Sequence, residues 1–302
     1  MNALLTQSFP ITTLRVQTAA LSALTLPEYA GSALRGILGH ELRALACVTG
    51  APSCDARPLR QTCAYTEVFE GVAPADAERT YSNIPNGFVL AAPLHSAAQP
   101  LQRGDHFEFK LTLIGRARRH APLVRQALAR GMAQRLGAWG GGLTLLSSAA
   151  EPVPAATLPP DARRLRIELL TPLYLKRQGE PLRPQQLQAR DFLNALIRRV
   201  GDLLALQLGQ GPAWREPASA LRQAAEAIQA HNADLRWHSI KRWSNRQHSE
   251  MQLCGLLGSF ELSGPWQPLA ELLQLGQTLH IGGKTSFGLG RYTVTSCQDK
   301  TL

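Results

Sequence analysis

Hydrophobic and polar residues follow recognisable periods in the first half of the chain. A weak alternation from Ile11 to Ala19 predicts a strand, and the strict alternation from Asp105 to Leu113 predicts the clearest strand of the sequence. Between them, apolar residues recur every three or four positions, which predicts a helix from about Leu26 to Cys47 with one buried stripe. The stripe consists of Leu34, Ile37, Leu38, Leu42 and Leu45.

The same kinds of element then recur in the second half. A Pro- and Ala-rich segment from Ala149 to Pro160 reads as a linker between domains 1–150 and 151–302. Interleaved strands and helices in both halves favour an α+β class with two β-α-β-β-α-β, or ferredoxin-like, domains. The remaining predicted strands are Phe88–Leu90, Leu143–Leu146, Leu165–Leu170, Leu235–Lys241, Met251–Leu262 and Gly290–Thr295, and the remaining helices are Arg118–Leu136, Arg190–Leu208, Ser219–His231 and Leu269–Leu275.

A glycine-rich loop precedes the last predicted strand. It combines four glycines with Lys284 and Arg291, and clustered glycines mark backbone that bends sharply or lets a partner approach closely. Backbone N–H groups in such a loop can face an anion, so a phosphate chain is the natural ligand class. The alternatives are a hairpin without a ligand and a nucleotide-binding P-loop. The P-loop is disfavoured because Thr278 stands where its first glycine belongs and a strand follows instead of a helix.

Composition narrows the class of protein. The 302 residues include 32 Lys and Arg against 22 Asp and Glu, a net charge of +10 that is typical of a nucleic-acid-binding protein. No apolar run approaches the roughly 20 residues that span a membrane, and the N-terminal residues lack the pattern of a signal peptide. Five cysteines, an odd number, favour a reducing compartment. We therefore expect a cytoplasmic protein without a membrane partner.

Several segments in the second half resemble one known family. Their order and spacing are similar to the C-terminal region of CRISPR-associated precursor-crRNA-processing endoribonucleases, members of the RAMP superfamily. A second similar segment, Leu34 to Arg43, lies in the first predicted helix. The C-terminal segments are Trp237, Trp243-Ser244-Asn245-Arg246-Gln247, Leu253-Cys254-Gly255-Leu256-Leu257-Gly258, Leu272-Leu273-Gln274-Leu275-Gly276 and His280 to Gly290.

The resemblance implies two tandem ferredoxin-like domains and a specific chemistry. It implies an endoribonuclease that cuts CRISPR repeat RNA without a metal, by attack of a ribose 2′-hydroxyl on the adjacent phosphate. The products would be a 2′,3′-cyclic phosphate and a 5′-hydroxyl, and the enzyme would keep the crRNA. The alternative is a non-catalytic RAMP subunit that serves as an RNA-binding scaffold of a CRISPR effector complex. Subunits of such a complex are expected partners, and homodimerisation stays open.

The first predicted helix carries the candidate catalytic residues. On a helical wheel, Ser32, Gly36, Gly39, His40 and Arg43 share a face roughly opposite the leucine stripe. Two glycines in a helix cost about 1 kcal/mol each, which indicates close backbone contact with a ligand or with another element. His40 could equally lie on a solvated face with no role. The resemblance implies a catalytic histidine near this helix, and His40 matches it best.

Three further residues complete the predicted catalytic set. A histidine suits a general base because its usual pKa of about 6.5 lies near working pH. A cation must stabilise the charge on the phosphorane, and Arg35, Arg43 or Lys284 could supply it. Tyr29 is the candidate general acid, although 11 residues of unbroken helix would separate it from His40 by about 16 Å. Otherwise Tyr29 is a core aromatic at the start of the helix.

Arginine-rich segments and the glycine-rich loop form the predicted RNA-binding track. A solvated charged face is the commoner reading of such runs, but six arginines without an acidic residue between positions 116 and 135 favour an anionic partner. Trp237 and Trp243 could stack on bases or lie in the core. The predicted RNA-binding residues are Arg35, Arg118, Arg119, Arg125, Arg242, Arg246, Gly282, Gly283, Lys284, Thr285, Ser286, Gly288, Gly290 and Arg291.

Metal and cofactor sites are not expected. Cys47, Cys54 and Cys63 lie close in sequence, but three thiolates without a neighbouring histidine fall short of a tetrahedral site. Among the other histidines, His238 and His248 are alternative catalytic candidates, whereas His280 is expected to face the core.

Overall fold

A computed structural model describes residues 9–50, 54, 59–72, 84–94, 100–134, 141–152, 158–244 and 249–297. The chain forms two compact units. The N-terminal unit comprises Pro10–Val153 together with Asp202–Gln210, and the C-terminal unit comprises the rest of the chain.

The N-terminal unit is a four-stranded antiparallel sheet with two helices. Its strands are β1 (Ile11–Ala20), β2 (Phe88–Ala91), β3 (His106–Ile114) and β4 (Leu143–Glu151), and its helices are α1 (Ala30–Ala46) and α2 (Ala121–Ala133). The strand order is β2-β3-β1-β4, which places the first strand between the third and the fourth, as in a ferredoxin-like domain. Leu34, Leu38 and Leu42 of α1 are fully buried, so the predicted stripe faces the core.

The C-terminal unit repeats this plan with longer elements. Its sheet contains β5 (Arg164–Leu173), β8 (Gln229–Ser244), β9 (Ser249–Ser263) and β10 (Tyr292–Ser296) in the order β10-β5-β9-β8. A small hairpin, β6 (Lys176–Arg177) and β7 (Glu180–Pro181), follows β5. The helices are α3 (Ala189–Leu208), α4 (Arg215–Glu226) and α5 (Ala270–Leu279), and the end of α3 from Asp202 onwards is counted with the N-terminal unit. In the core, Phe192 of α3 makes edge contacts with Phe260 and Tyr292.

The predicted α+β class and tandem ferredoxin-like architecture are confirmed, while several element boundaries differ. Helix α1 begins only at Ala30, because the preceding segment is extended and forms bridges from Leu24 to Leu101 and from Tyr29 to Leu94. Arg118 and Arg119 belong to a 3-10 turn before α2 rather than to an α-helix. Strand β4 continues into the predicted linker as far as Glu151, since pairing with β1 holds Ala149 and Ala150 in the sheet.

Apolar helices in the described part of the chain are short or amphipathic. None of them is long and apolar enough to cross a membrane.

Candidate nucleic-acid interface

The glycine-rich loop between α5 and β10 depends on glycine for its shape. Gly282, Gly288 and Gly290 have φ values of +76°, +93° and +71°, a region that L side chains rarely adopt. A Cβ atom on Gly290 would lie 1.8 Å from the carbonyl oxygen of Ile281. The glycines therefore allow the chain to fold closely back on itself.

Many backbone N–H groups of this loop donate to carbonyls within the protein. The N–H of Gly283 donates to Tyr174 at 2.9 Å and that of Gly290 to Pro172 at 3.0 Å, while Ile281 donates to Gly290 at 3.0 Å. The N–H groups of Phe287, Gly288 and Leu289 also bond within the loop. These donors are occupied, so the expected cradle of N–H groups for a phosphate is much reduced.

Burial further separates the predicted RNA-binding residues of the loop. The side chains of Thr285 and Ser286 are 8% and 4% exposed, and Gly288 and Gly290 are buried. Gly282, Gly283 and Lys284 remain partly exposed. The accessible part of the loop is thus the Gly-Gly-Lys segment, and the other residues shape it from beneath.

Lys284 and Arg242 place two positive charges at this accessible segment. The ammonium of Lys284 donates to the carbonyl of Gln252 at 2.9 Å and lies 5.6 Å from the ring centre of Tyr174. The guanidinium of Arg242 lies 4.7 Å from the ring centre of Phe287. We call Lys284, Arg242 and these two rings the loop surface.

Burial lowers the pKa values of both cations of the loop surface. Burial, with a smaller contribution from Arg242, lowers the pKa of Lys284, and burial lowers the pKa of Arg242. Neither cation forms an ion pair with a carboxylate among the described residues. A phosphate would relieve this uncompensated charge.

Arg291 and His280 flank the loop. The backbone N–H of Arg291 donates to the hydroxyl of Thr171 at 2.9 Å, which ties the end of the loop to β5. His280 is 1% exposed, as expected from the sequence, and burial together with Arg291 and Arg199 lowers its pKa to about 3. His280 is therefore a neutral core residue. Arg246 and His248 lie outside the described residues.

His40, the predicted base, projects from α1 of the N-terminal unit into solvent. Its side chain is 81% exposed, and its Nε2 lies 3.9 Å from Oε1 of Glu41, a carboxylate that is only 4% exposed. Glu41 also forms an ion pair with Arg130 at 3.2 Å and accepts a hydrogen bond from Gln134 at 3.3 Å. A general base needs access to its substrate, and this position provides it.

Two aromatic rings hold the arginines that flank His40. The guanidinium of Arg35 lies 4.3 Å from the ring centre of Phe69, and that of Arg43 lies 5.8 Å from the ring centre of Tyr65. The two rings stack at 5.3 Å. They come from the segment Tyr65–Glu70, which packs along α1. Such cation–π contacts orient an arginine without neutralising it.

Gly36 and Gly39, the two glycines nearest His40 in α1, have different environments. A Cβ on Gly39 would lie 2.4 Å from the ring of Phe69, so this glycine admits the ring that supports Arg35. A Cβ on Gly36 would meet nothing within 4 Å. The predicted bare patch is therefore a packing contact at Gly39 and an open surface at Gly36, four residues before His40.

The position of Tyr29 does not support its predicted role as the acid. It lies immediately before α1, is 3% exposed and has a buried hydroxyl. The intervening helix is continuous, so about 16 Å separates it from His40 along the axis. Tyr29 packs as a core aromatic at the start of the helix, the alternative that the sequence left open.

Internal contacts account for several arginines of the predicted RNA track. Both nitrogens of the Arg119 fork bind Glu67, whose side chain is 1% exposed, and His120 contacts the same carboxylate at 2.7 Å. Arg118 donates to the hydroxyl of Thr12 at 3.0 Å. Arg125 is half-buried, and its Nε lies below the surface. Arg119 thus has a structural contact with a buried carboxylate, and its predicted binding to RNA stays a prediction.

The sequence did not reveal the aromatic and acidic residues that contact these arginines and Lys284. Phe69, Tyr65 and Glu67 lie in a segment that showed no helical or strand period, and it forms a single π-helical turn from Thr66 to Glu70. Tyr174 follows β5 directly. An aromatic pair four residues apart was the one available signal, because such a pair shares a face of a helical turn.

The cysteine segment contributes no metal site among the described residues. No group of three or more potential ligands comes together there, and all five cysteines are free thiols.

Each half of the chain matches a family model. Residues 167–292 match the family model described as CRISPR-associated endoribonuclease Cas6, and residues 9–156 match a model described as an N-terminal domain. The Cas6 match thus lies in the C-terminal half and covers less than half of the chain. A comparison with curated proteins found no match.

Solved structures share this fold over nearly the whole chain. A Cas6 (TTHB231) product complex matches with a TM-score of 0.58 at 16% identity, over 94% of this chain and 100% of that one. Thermus thermophilus Cas6 (TTHB231) matches with a TM-score of 0.54 at 13% identity, over 95% and 99%. A RAMP protein binding different RNA substrates gives 0.53 at 11% identity, over 94% and 100%. The chain of a partial Cas6-RT-Cas1–Cas2 complex gives 0.59 at 15% identity, and 48% of that chain is covered.

Proposed function

We propose that this protein is a metal-independent endoribonuclease that cleaves CRISPR repeat RNA and retains the product. His40 takes the proton from a ribose 2′-hydroxyl, and the resulting oxygen attacks the adjacent phosphorus. The bond to the 5′ oxygen breaks, and that oxygen takes up a proton from the solvent around this open site. The products are a 2′,3′-cyclic phosphate and a 5′-hydroxyl.

The environment of His40 is the observation that carries this proposal. The imidazole is exposed on a rigid helix, and Arg43 follows it by three residues on the same face. The guanidinium of Arg35 lies over Phe69, and the same ring contacts Gly39, the residue before His40. Positive charge held near a base is what the phosphorane requires.

The loop surface of the C-terminal unit supplies affinity in this proposal. Lys284 and Arg242 carry charge without a carboxylate partner among the described residues, and two aromatic rings accompany them. Phosphate contacts of this kind add affinity without contributing to the chemical step, so the product stays bound. We include Lys284 in binding, and its predicted part in stabilising the phosphorane remains a prediction. Other CRISPR-associated proteins are the proposed recipients of the bound product.

The decisive experiment compares two exposed histidines of the N-terminal unit. His40→Ala should lower the cleavage rate of a cognate repeat RNA by about 10²- to 10⁴-fold, the usual contribution of a general base. RNA affinity should stay within a few-fold. His106→Ala, at the start of β3, is the matched control and should cleave at the parental rate. All reactions contain EDTA. The 5′-hydroxyl end is identified by direct phosphorylation with a polynucleotide kinase without prior phosphatase treatment, and the 2′,3′-cyclic phosphate is identified by mass.

Two results would contradict the proposal in different ways. Parental cleavage by His40→Ala would exclude His40 as the base. A parental protein that binds its repeat but never cuts it would instead favour the non-catalytic RAMP scaffold.

A further inference from the structure

Trp237 lies on β8 with part of its ring exposed, and a neighbouring arginine covers one of its faces. The guanidinium carbon of Arg183 lies 4.5 Å from the ring centre. Trp237 is only half buried, so the part of its ring that Arg183 leaves uncovered is accessible to a ligand.

Hydrogen bonds fix the backbone around Arg183, while its side chain is exposed. Its N–H donates to Oε1 of Gln186 at 2.8 Å, and the turn Pro184–Gln186 packs against β8. Arg177 bridges the same segment, because it binds both Asp191 and the carbonyl of Gln186. Arg177 thus serves the fold, whereas Arg183 forms no ion pair with a carboxylate among the described residues.

This pair is separate from the loop surface. The register between β8 and β9 is continuous from Asp234 to Ser244, so the side chains of Trp237 and Arg242, an odd number of residues apart, point to opposite faces. Five residues of strand also separate them by about 17 Å along β8. The hairpin therefore presents one cation–aromatic pair on each face.

We propose that Arg183 and Trp237 form a second RNA-contact site, which takes an unpaired nucleotide. The guanidinium lies over one face of the indole and forms no ion pair with a carboxylate among the described residues, so its N–H donors can bind a phosphate or the edge of a base. The remaining exposed part of the ring offers a stacking surface for the base. This inference rests on the proposed RNA-processing function and adds to it a contact with a single-stranded part of the substrate.

The test is an affinity measurement in the His40→Ala background, so that RNA remains intact. Fluorescently labelled single-stranded oligouridylate and oligoadenylate of equal length are the probes. Arg183→Ala should weaken binding of both about tenfold and reduce the salt slope of log K by about 0.7, the value for one contact on a single strand. Arg222→Ala removes an exposed charge from α4 of the same unit and is the matched control, with less than a twofold expected effect.

Variants of Trp237 separate stacking from charge. Trp237→Phe should keep most of the affinity and Trp237→Leu should lose about as much as Arg183→Ala, with thermal unfolding confirming that each variant folds. An equal loss on both probes identifies a phosphate contact, and a loss on one probe alone identifies a base contact. Either result supports the site.

Arg183→Ala that binds both probes like Arg222→Ala would overturn the inference. Because Arg183 is exposed and holds no buried group, this outcome does not depend on a folding defect. Failure of the proposed function would appear separately, as uncut repeat RNA in the parental protein.

Discussion

Cations around α2 and cations around the glycine-rich loop have different partners. Around α2 of the N-terminal unit, Arg119 and Arg130 bind the buried carboxylates of Glu67 and Glu41. Around the loop of the C-terminal unit, Lys284 and Arg242 contact a carbonyl, a sulfur atom and two aromatic rings. A carboxylate neutralises an arginine, whereas a carbonyl or a ring only orients it. The segment around α2 contains more arginines than the loop, but Arg119 and Arg130 are paired with carboxylates. It is therefore the poorer candidate for binding RNA.

Histidines of the two regions show the same contrast. His120 lies 2.7 Å from the buried carboxylate of Glu67, while His280 lies near Arg199 and Arg291. His120 therefore has a counter-charge beside it, whereas His280 has two cations nearby and stays neutral. Whether a basic segment is available to bind RNA therefore depends on the carboxylates beside its cations. A count of Lys and Arg does not include them.

Among the substitutions that test this contrast, Gly290→Ala in the glycine-rich loop should have the largest effect on stability. The new Cβ would meet the carbonyl of Ile281 at 1.8 Å, and the residue has a positive φ. We expect a loss of about 4 kcal/mol in the free energy of unfolding, measured by urea denaturation, together with loss of RNA binding. Gly283→Ala is the control, since its Cβ would meet only the Tyr174 side chain at 3.1 Å. Equal stability of the two variants would show that the loop is not held as described.

Glu67→Gln should have the next largest effect and should act on stability alone. Removing the charge from this buried side chain leaves Arg119 and His120 without their counter-charge, which costs about 3 kcal/mol when one partner of a buried pair is lost. RNA affinity should change less than twofold. If affinity instead rose sharply with little loss of stability, the arginines around α2 would be RNA ligands that Glu67 restrains.

The free energy of unfolding should depend on pH through His280, which is buried beside two arginines. Burial first, then Arg291 and Arg199, lower its pKa to about 3, below the usual value of 6.5 in the unfolded chain. The unfolded state therefore binds the extra proton between these values, so stability is constant above pH 6.5 and falls with acidification. The loss amounts to about 2 kcal/mol between pH 6.5 and pH 5. The difference in unfolding free energy between the parental protein and His280→Gln measures it, and a difference independent of pH would refute it.

Periodicity predicted what depends on local pattern. The leucine stripe of α1, the alternation of β3 and the tandem βαββαβ order are all present, because burial on one face sets the period of each element. The glycines of the loop were also recognisable, since positive φ selects for glycine. The site was less predictable. Whether an arginine meets Glu67 or Phe69 depends on residues distant in sequence, and the segment that carries both has no regular period.

Lys284→Met should have the smallest effect on stability and a clear effect on RNA. Its ammonium is held by one carbonyl at 2.9 Å and by the ring of Tyr174, so the unfolding free energy should change by less than about 1 kcal/mol. The salt slope of log K for single-stranded RNA should fall by about 0.7, as expected for one lost phosphate contact. Arg119→Met is the comparison, because it removes one charge as well but should leave the slope unchanged while lowering stability. If the two variants changed the slope equally, the contrast between neutralised and merely oriented cations would not hold, and net charge alone would govern RNA binding.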